Sequence, residues 1–486
     1  VSLLDSLSLL HGAVPWAVPA LAAAGLAGAA VRRQRRWWAV TVPRLVAASA
    51  ASAMAAAWYL RQSGTVRDHY PPTFAVWVGL VPLAALVAAA GWRSAGRWRR
   101  VVSLLTVPLT AASAVVLINL HYAYWPTVGD VLGRPLPGQV SGRALDGVLG
   151  SRAGPGGGDG APAGTVTPGG ATPGSPDAAA VGLGGAVTAH PSRGRGSGGG
   201  RGSAGGELAA GAPSRTGHSV LVAVDIPPGT SGFTSRPGTL YLPPAFFRPS
   251  PPPLPVVVLL GGTPGGPDAW ARSGALRTVD AYAAQHHGAA PILAFVDQNG
   301  SFLGDTECVD GPAGAAETFL TVDVPRYLAG LLHVPLGADR FAVGGFSEGG
   351  TCAFELAVRH PETYGTFVDI AGDWAPNLGS ATATLDGLYG GDQAAMAAHD
   401  PATLLAAGEF DDLAGWFVAG DSDGAHRGVA ERLAAASRSA GIRTTAEILP
   451  GDHTWRFVVS AFRVVFPALA GQLTARLPPA GPPAGA

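Results

Sequence analysis

Three kinds of side chain in this sequence are ordered so that they can act together on an acyl carbon. In Phe341-Ala-Val-Gly-Gly-Phe-Ser-Glu-Gly-Gly-Thr, Ser347 lies between Gly345 and Gly349 in a Gly-x-Ser-x-Gly pattern, with an apolar strand-like run before it and a helical pattern after it. Glycine is required on both sides because a serine presented on a tight strand-to-helix turn leaves no room for a neighbouring Cβ. A serine hydroxyl is a poor nucleophile until a base takes its proton, and that base must be oriented by a third group. Downstream, Trp416-Phe-Val-Ala-Gly-Asp-Ser-Asp423 reads as a strand ending in acids, and Ile448-Leu-Pro-Gly-Asp-His453-Thr-Trp places a histidine in a loop before the last helical pattern. Ser347 as nucleophile, Asp423 as acid and His453 as base follow in that order, with Asp421 as the alternative acid, Asp373 a minor one, and His426 competing for the role of base. Acyl transfer also needs N–H donors aimed at the oxyanion. The N–H of Glu348 follows the nucleophile, and the loop Gly261-Gly-Thr-Pro-Gly-Gly266 offers a second from Gly262 or Thr263, since Pro264 has no N–H.

Several features near these residues have two readings. The Glu348 carboxylate either opposes negative charge and attracts a cationic substrate such as an aminoacyl ester, or points away from the pocket. Asp305, Glu307 and Asp310 form either a substrate-facing acidic rim or a solvated loop, and the Asp421-x-Asp423-Gly stretch also suits a helix N-cap. Cys308 and Cys352 are either a disulfide or two buried thiols. Other chemistries are excluded. The chain has no lysine, which removes a P-loop, a Schiff-base lysine and a Ser-x-x-Lys pair, and two cysteines cannot build a zinc-thiolate cluster. No metal and no cofactor is implied. Thirty-two basic against 33 acidic residues give a net charge of −1, so no global basic field exists to hold nucleic acid.

The elements that must position this chemistry lie after residue 217. Short apolar runs at 219–226, 238–242, 256–260, 292–296, 341–345, 367–370 and 416–419 alternate with helical patterns, which predicts an α/β domain over 218–478 with a mainly parallel sheet. The N-terminal quarter differs. A mean hydropathy of +0.25 with 13% charged residues places part of the chain in lipid. Four apolar runs, Leu7 to Val31, Trp37 to Leu60, Thr73 to Trp92 and Val101 to Tyr124, each approach the roughly 20 residues that span a bilayer. They predict a four-helix transmembrane anchor over 1–128. Arg32, Arg33, Arg35 and Arg36 follow the first run and Arg93, Arg97, Arg99 and Arg100 follow the third, so both ends of the anchor are expected outside a plasma membrane. Residues 129–217 are dominated by Gly, Ala, Pro, Ser and Thr and predict a flexible linker that leaves the C-terminal domain tethered but free to reorient. Residues 479–486, rich in Pro, Gly and Ala, are expected to be a disordered tail.

Phe319-Leu-Thr-Val-Asp-Val-Pro-Arg-Tyr, Arg340 to Gly350, Arg359-His-Pro-Glu-Thr-Tyr and Asp369-Ile-Ala-Gly together resemble the Putative esterase family, which includes esterase D and the antigen 85 mycolyltransferases. The resemblance covers about Ser219 to Leu477. It implies an α/β-hydrolase fold with Ser347 as nucleophile, His453 as base and an acid near Asp423. Membrane-tethered members of the family are familiar in actinobacteria, whose Ala-, Gly- and Arg-rich style this chain shares. The combined expectation is an integral-membrane, extracytoplasmic serine esterase acting on membrane lipids or cell-envelope esters. An acyltransferase, an aminoacyl-lipid hydrolase and a non-catalytic envelope-binding protein are the alternatives, and the oligomeric state is left open.

Overall fold

The computed structural model describes residues 5–62, 71–143, 145, 217–408 and 410–477. Four apolar helices come first: α1 (Val14–Ala30), α2 (Val42–Gln62), α3 (Pro72–Gly91) and α4 (Arg97–Tyr122). The helical stretches Trp37–Tyr59, Pro72–Ser94 and Arg97–Tyr122 are long and apolar enough to cross a membrane, and α1, at 17 residues, stands at the short end of that range. The helix expected from Leu7 begins at Val14, because residues 5–9 are drawn into contact with the chain beyond α4. The helices run up and down. Arg99 at the start of α4 donates to the Gly28 carbonyl at the end of α1, and Phe74 at the start of α3 packs on His121 and Tyr122 at the end of α4. Small residues allow close approach, as where Ser49 donates to the Gly79 carbonyl between α2 and α3. The arginine-rich turns 31–36 and 92–100 therefore share one end of the bundle, and the C-terminal domain sits at the other.

That domain is built on a nine-stranded sheet of β1 (Val140–Ser141), β2 (Val220–Val224), β3 (Gly238–Leu242), β4 (Val256–Leu260), β5 (Ile292–Val296), β6 (Phe341–Phe346), β7 (Thr366–Ile370), β8 (Ala414–Gly420) and β9 (Arg443–Leu449). The spatial order is β1-β2-β3-β5-β4-β6-β7-β8-β9. Only β3 is antiparallel to its neighbours. The central strands are apolar throughout because both faces are covered. In β4, Val256, Val258 and Leu260 join one core cluster while Val257 and Leu259 join the other. The second core is closed by a C-terminal helix, Trp455–Arg476, which is also apolar enough to cross a membrane but is half buried. The Cys308–Cys352 disulfide ties the loop after β5 to the helix after β6.

The linker boundary expected at residue 129 needs correction. Asn119 in the last turn of α4 exchanges two hydrogen bonds with the Trp125 backbone, and Thr127 and Asp130 form a capping box around the single turn Val128–Val131. Leu9 N–H donates to the Pro126 carbonyl and Val128 N–H to the Leu7 carbonyl, which makes a collar at the ends of α1 and α4 away from the arginine-rich turns. Asp130 pairs with Arg272, whose guanidinium also donates to the Arg134 carbonyl, and Gln139 donates to Thr239. Val140 and Ser141 then add to the sheet beside β2, and Leu145 is buried in its core. The chain leaving α4 is thus bound to the C-terminal domain from the outset, and the expected freedom to reorient does not describe it. The remainder of the expected linker and the tail lie outside the described residues.

Closing a loop of 44 residues by the disulfide constrains the unfolded chain by about 4 kcal/mol in the chain-entropy treatment. The Cys308→Ser/Cys352→Ser variant should therefore melt about 10 °C lower than the parent, measured by tryptophan fluorescence in detergent.

Candidate active site

Ser347, Asp423 and His453 come from three places in the sheet. Ser347 follows β6, Asp423 follows β8 and His453 follows β9, all at the carboxyl ends of parallel strands, where loops can converge. Ser347 has φ +58°, a left-handed backbone that serine adopts only under constraint. The constraint is visible on every side. Its N–H donates to the Ile370 carbonyl at 2.9 Å. A Cβ at Gly345 would overlap the Gly349 backbone, and one at Gly349 would overlap the carbonyls of Leu260 and Gly261. The helix Glu348–Arg359 begins directly behind the serine, so its positive end faces the position where a tetrahedral oxyanion would form.

The structure brings the three predicted residues into one hydrogen-bonded chain. Ser347 Oγ is 3.0 Å from His453 Nε2, and His453 Nδ1 is 2.8 Å from Asp423 Oδ2. Asp421 does not take part; its exposed carboxylate accepts from Ser422 Oγ and Gly451 N–H and braces the histidine loop. His426 is not beside the serine either. It lies behind the acid, with Nδ1 2.8 Å from Asp423 Oδ1, its ring stacked on His453 at 4.4 Å, and Asp373 3.5 Å from its Nε2. Asp423 is also the N-cap of the helix Gly424–Ser439, so the capping role and the role of acid fall on one residue.

Burial alone would push the Asp423 carboxyl up, but the hydrogen bonds and charges of His426 and His453 outweigh it and hold it well below the usual carboxylate range. Burial works against the charge on His426 as well, and Asp373 and Asp423 together raise it to about 10. An ionised Asp423 can only accept, so both Nδ1 atoms carry protons. On a neutral His453 this leaves Nε2 unprotonated and ready to accept from the Ser347 hydroxyl. Asp423, His426 and His453 are also the one group of such residues, among those described, close enough to share a metal ion. The ligand atoms would be those that hold the base in place, so a metal bound there would compete with proton transfer.

The oxyanion loop, residues 261–266, lies against the nucleophile. A Cβ at Gly262 would stand 3.0 Å from Ser347 Cβ. Glu348 holds this loop from beneath. Its carboxylate is buried and accepts from Thr263 Oγ1 and, at 2.7 Å, from Asn299 Nδ2. Of the two readings for Glu348, the structure favours the one in which its side chain turns away from substrate. Further contacts fix the loop: Gln298 Nε2 donates to the Gly261 carbonyl at 2.8 Å and Arg236 to the Gly265 carbonyl at 2.9 Å, while Arg236 forms a forked pair with buried Asp297. Arg236, Asp297, Gln298 and Asn299 are absent from the residues singled out by sequence. The available signal was the polar run Asp297-Gln-Asn-Gly at the carboxyl end of an apolar strand. Of the acidic rim expected at Asp305, Glu307 and Asp310, Glu307 is buried, while Asp310 is exposed and accepts from the Thr318 N–H.

Residues 234–469 match the Putative esterase family. That match spans most of the C-terminal domain. An uncharacterized protein of Corynebacterium glutamicum is 37% identical over 265 residues, a match covering 51% of this chain and 62% of that protein's length. Among solved structures, a ferulic acid esterase is 21% identical with a TM-score of 0.44, covering 53% of this chain and all of its own. An S-formylglutathione hydrolase of Agrobacterium tumefaciens is 17% identical with a TM-score of 0.42, covering 52% of this chain and 95% of its own. The domain has the α/β-hydrolase fold: β2 to β9 run in the order 1-2-4-3-5-6-7-8 with only the second strand reversed, and the nucleophile turn follows the fifth.

Glu348→Ala strips the acceptor from beneath the oxyanion loop while leaving the Glu348 backbone N–H in place. It should lower kcat about 100-fold with little change in KM, as read from initial rates on a short-chain ester. His426 gives a pH signature. A group whose folded pKa is raised stabilises fully below its unfolded value, near 6.5, and loses that contribution as pH climbs through about 10. The melting temperature should therefore fall between pH 7 and 10, and His426→Asn should flatten that slope.

Proposed function

We propose that this chain is a membrane-anchored, extracytoplasmic serine esterase that cleaves lipid or cell-envelope esters through an acyl-enzyme. The observation that carries the reading is the continuous Ser347–His453–Asp423 hydrogen-bond chain at 3.0 and 2.8 Å in a domain of an esterase family. Ser347 Oγ attacks the ester carbonyl as His453 Nε2 takes its proton, and Asp423 steadies the imidazolium that forms. The negative charge that develops on the carbonyl oxygen meets the Glu348 N–H and an N–H of the Gly262–Thr263 segment. Collapse of this intermediate breaks the ester C–O bond, and the alcohol leaves with the proton from His453. Water, deprotonated by the same nitrogen, then attacks the acyl group on Ser347 and regenerates the hydroxyl. An acceptor alcohol in place of water would make the reaction an acyl transfer.

Two observations support the outward orientation. The arginine-rich turns gather at the end of the helix bundle away from the catalytic domain, which is the charge asymmetry of a cytoplasmic face. The disulfide belongs in an oxidising compartment.

Fluorophosphonate should label the wild-type chain and fail to label Ser347→Ala. Turnover of p-nitrophenyl esters should fall by at least about 10⁴-fold in Ser347→Ala and His453→Ala, and comparably in Asp423→Asn. A folded wild-type protein that neither labels nor turns over would overturn the esterase reading in favour of a binding role.

A further inference from the structure

The end of the last N-terminal helix is built into the active-site wall. His121, in the final turn of α4, has Nε2 3.7 Å from Asp452, the residue before the base. Tyr124, two residues beyond the helix, packs its ring on Trp455 at 6.2 Å. Trp455 packs on Phe346 at 5.2 Å, and Phe346 lies 4.7 Å from the ring of His453. Three ring contacts thus separate the outer end of a membrane-length helix from the base. On the other side, Trp125 stacks on Phe302 at 5.9 Å with an interplanar angle of 13°. The loop that carries Phe302 is bonded to the oxyanion loop: Gly265 N–H donates to the Phe302 carbonyl at 2.9 Å, and Thr263 Oγ1 lies 3.1 Å from the Gly304 carbonyl.

This same loop presents apolar surface outward. Leu303 is 74% exposed and Phe302 39%, and Val131 and Leu132 on the neighbouring collar are 48% and 59% exposed. Exposed apolar side chains of this size are a liability in water, and through Trp125 and Tyr124 on Phe302 the loop adjoins the end of a helix bundle whose own exterior is apolar. Tyrosine and tryptophan at 122, 124 and 125 are the residues that settle at the boundary between headgroups and acyl chains. The occupant of the surface is therefore fixed by what surrounds α4.

We propose that the loop at 301–304 is a wedge inserted into the outer leaflet of the membrane that holds α1–α4, and that the ester reaching Ser347 is a long-chain lipid drawn sideways from that leaflet. The substrate class rests on the esterase reading, whereas the wedge does not. The loop lies between bilayer and oxyanion loop, so a lipid whose ester rises to headgroup level passes Leu303 and Phe302 before meeting the Gly262–Thr263 backbone.

The wedge is tested on the full chain in phosphatidylglycerol–phosphatidylcholine vesicles carrying a nitroxide at Leu303→Cys, the two native cysteines being bonded to each other. The label should collide with oxygen more than with a water-soluble nickel complex, while a label at Glu362→Cys, on a 70% exposed side chain, should do the reverse. A label at 303 as open to nickel as the one at 362 overturns the wedge. The substrate is tested with 4-methylumbelliferyl palmitate in the same vesicles as the protein or in separate ones, with p-nitrophenyl acetate as the soluble reference. Turnover should be at least about 10-fold faster in the shared bilayer, and Leu303→Glu should lower the palmitate-to-acetate ratio by a similar factor. Equal rates from shared and separate vesicles, or an unchanged ratio, overturn lateral delivery. Acetate turnover with a water-exposed label sinks the wedge and leaves the esterase standing. A lipid-facing label with no turnover of either ester sinks the esterase and the lipid substrate with it.

Discussion

The domain is organised around one backbone turn that serine does not adopt freely. Holding a non-glycine residue at positive φ costs on the order of 1–3 kcal/mol, and the surroundings of Ser347 must supply it. They do so through placement. β4 and β7 flank β6, so the Leu260 and Gly261 carbonyls press on Gly349 from one side while Asp369 and Gly372 press on Gly350 from the other. Any strand order that separated β4, β6 and β7 would release the turn. The unusual glycine density of the segment 344–350 follows from this crowding, and so does the ease with which the segment stands out in the sequence.

Charge at the site is arranged in the same economical way. One carboxylate, Asp423, serves two imidazoles, one bonded to each oxygen. The outer imidazole is further bracketed by Asp373 and carries its own proton, so a buried anion is compensated without a fixed cation such as arginine beside the nucleophile. The charge on His426 stands 4.4 Å from the His453 ring, and its flanking by Asp373 and Asp423 offsets the opposition it would otherwise offer to an imidazolium on His453. A second buried carboxyl, Asp369 beneath the turn, is pushed up by desolvation to about 7 despite the Gly372 N–H it accepts, which lowers the charge crowded under the serine near neutrality.

The sequence was most legible where local constraint is strongest. The Gly-x-Ser-x-Gly turn and the central strands could be read because each position has both faces buried or both neighbours crowded. It was less legible where the pattern is set by distant partners. β9, Arg443-Thr-Thr-Ala-Glu-Ile-Leu, is an edge strand open on one flank and reads as a mixed polar stretch. The direction of the Glu348 side chain depends on Asn299 and Thr263, 49 and 85 positions away, and no local pattern encodes that. Asp421 and Asp423 are equivalent as letters; only the register that brings Gly451 and His453 alongside distinguishes them. The junction after α4 did carry a signal in Thr127-Val-Gly-Asp130, a capping box, but the Gly- and Pro-rich composition that follows masked it.

Pairing of β1 with β2 has a consequence for where Ser347 stands. Ser141 lies opposite Ala223, so the chain leaves the sheet at one strand and comes back at its immediate neighbour. The spacing between the helix bundle and Ser347 is thus set by the bonded chain from 123 to 141. A change in the length of the chain from 123 to 141 would therefore shift Ser347 relative to the helix bundle, because that stretch is bonded to both.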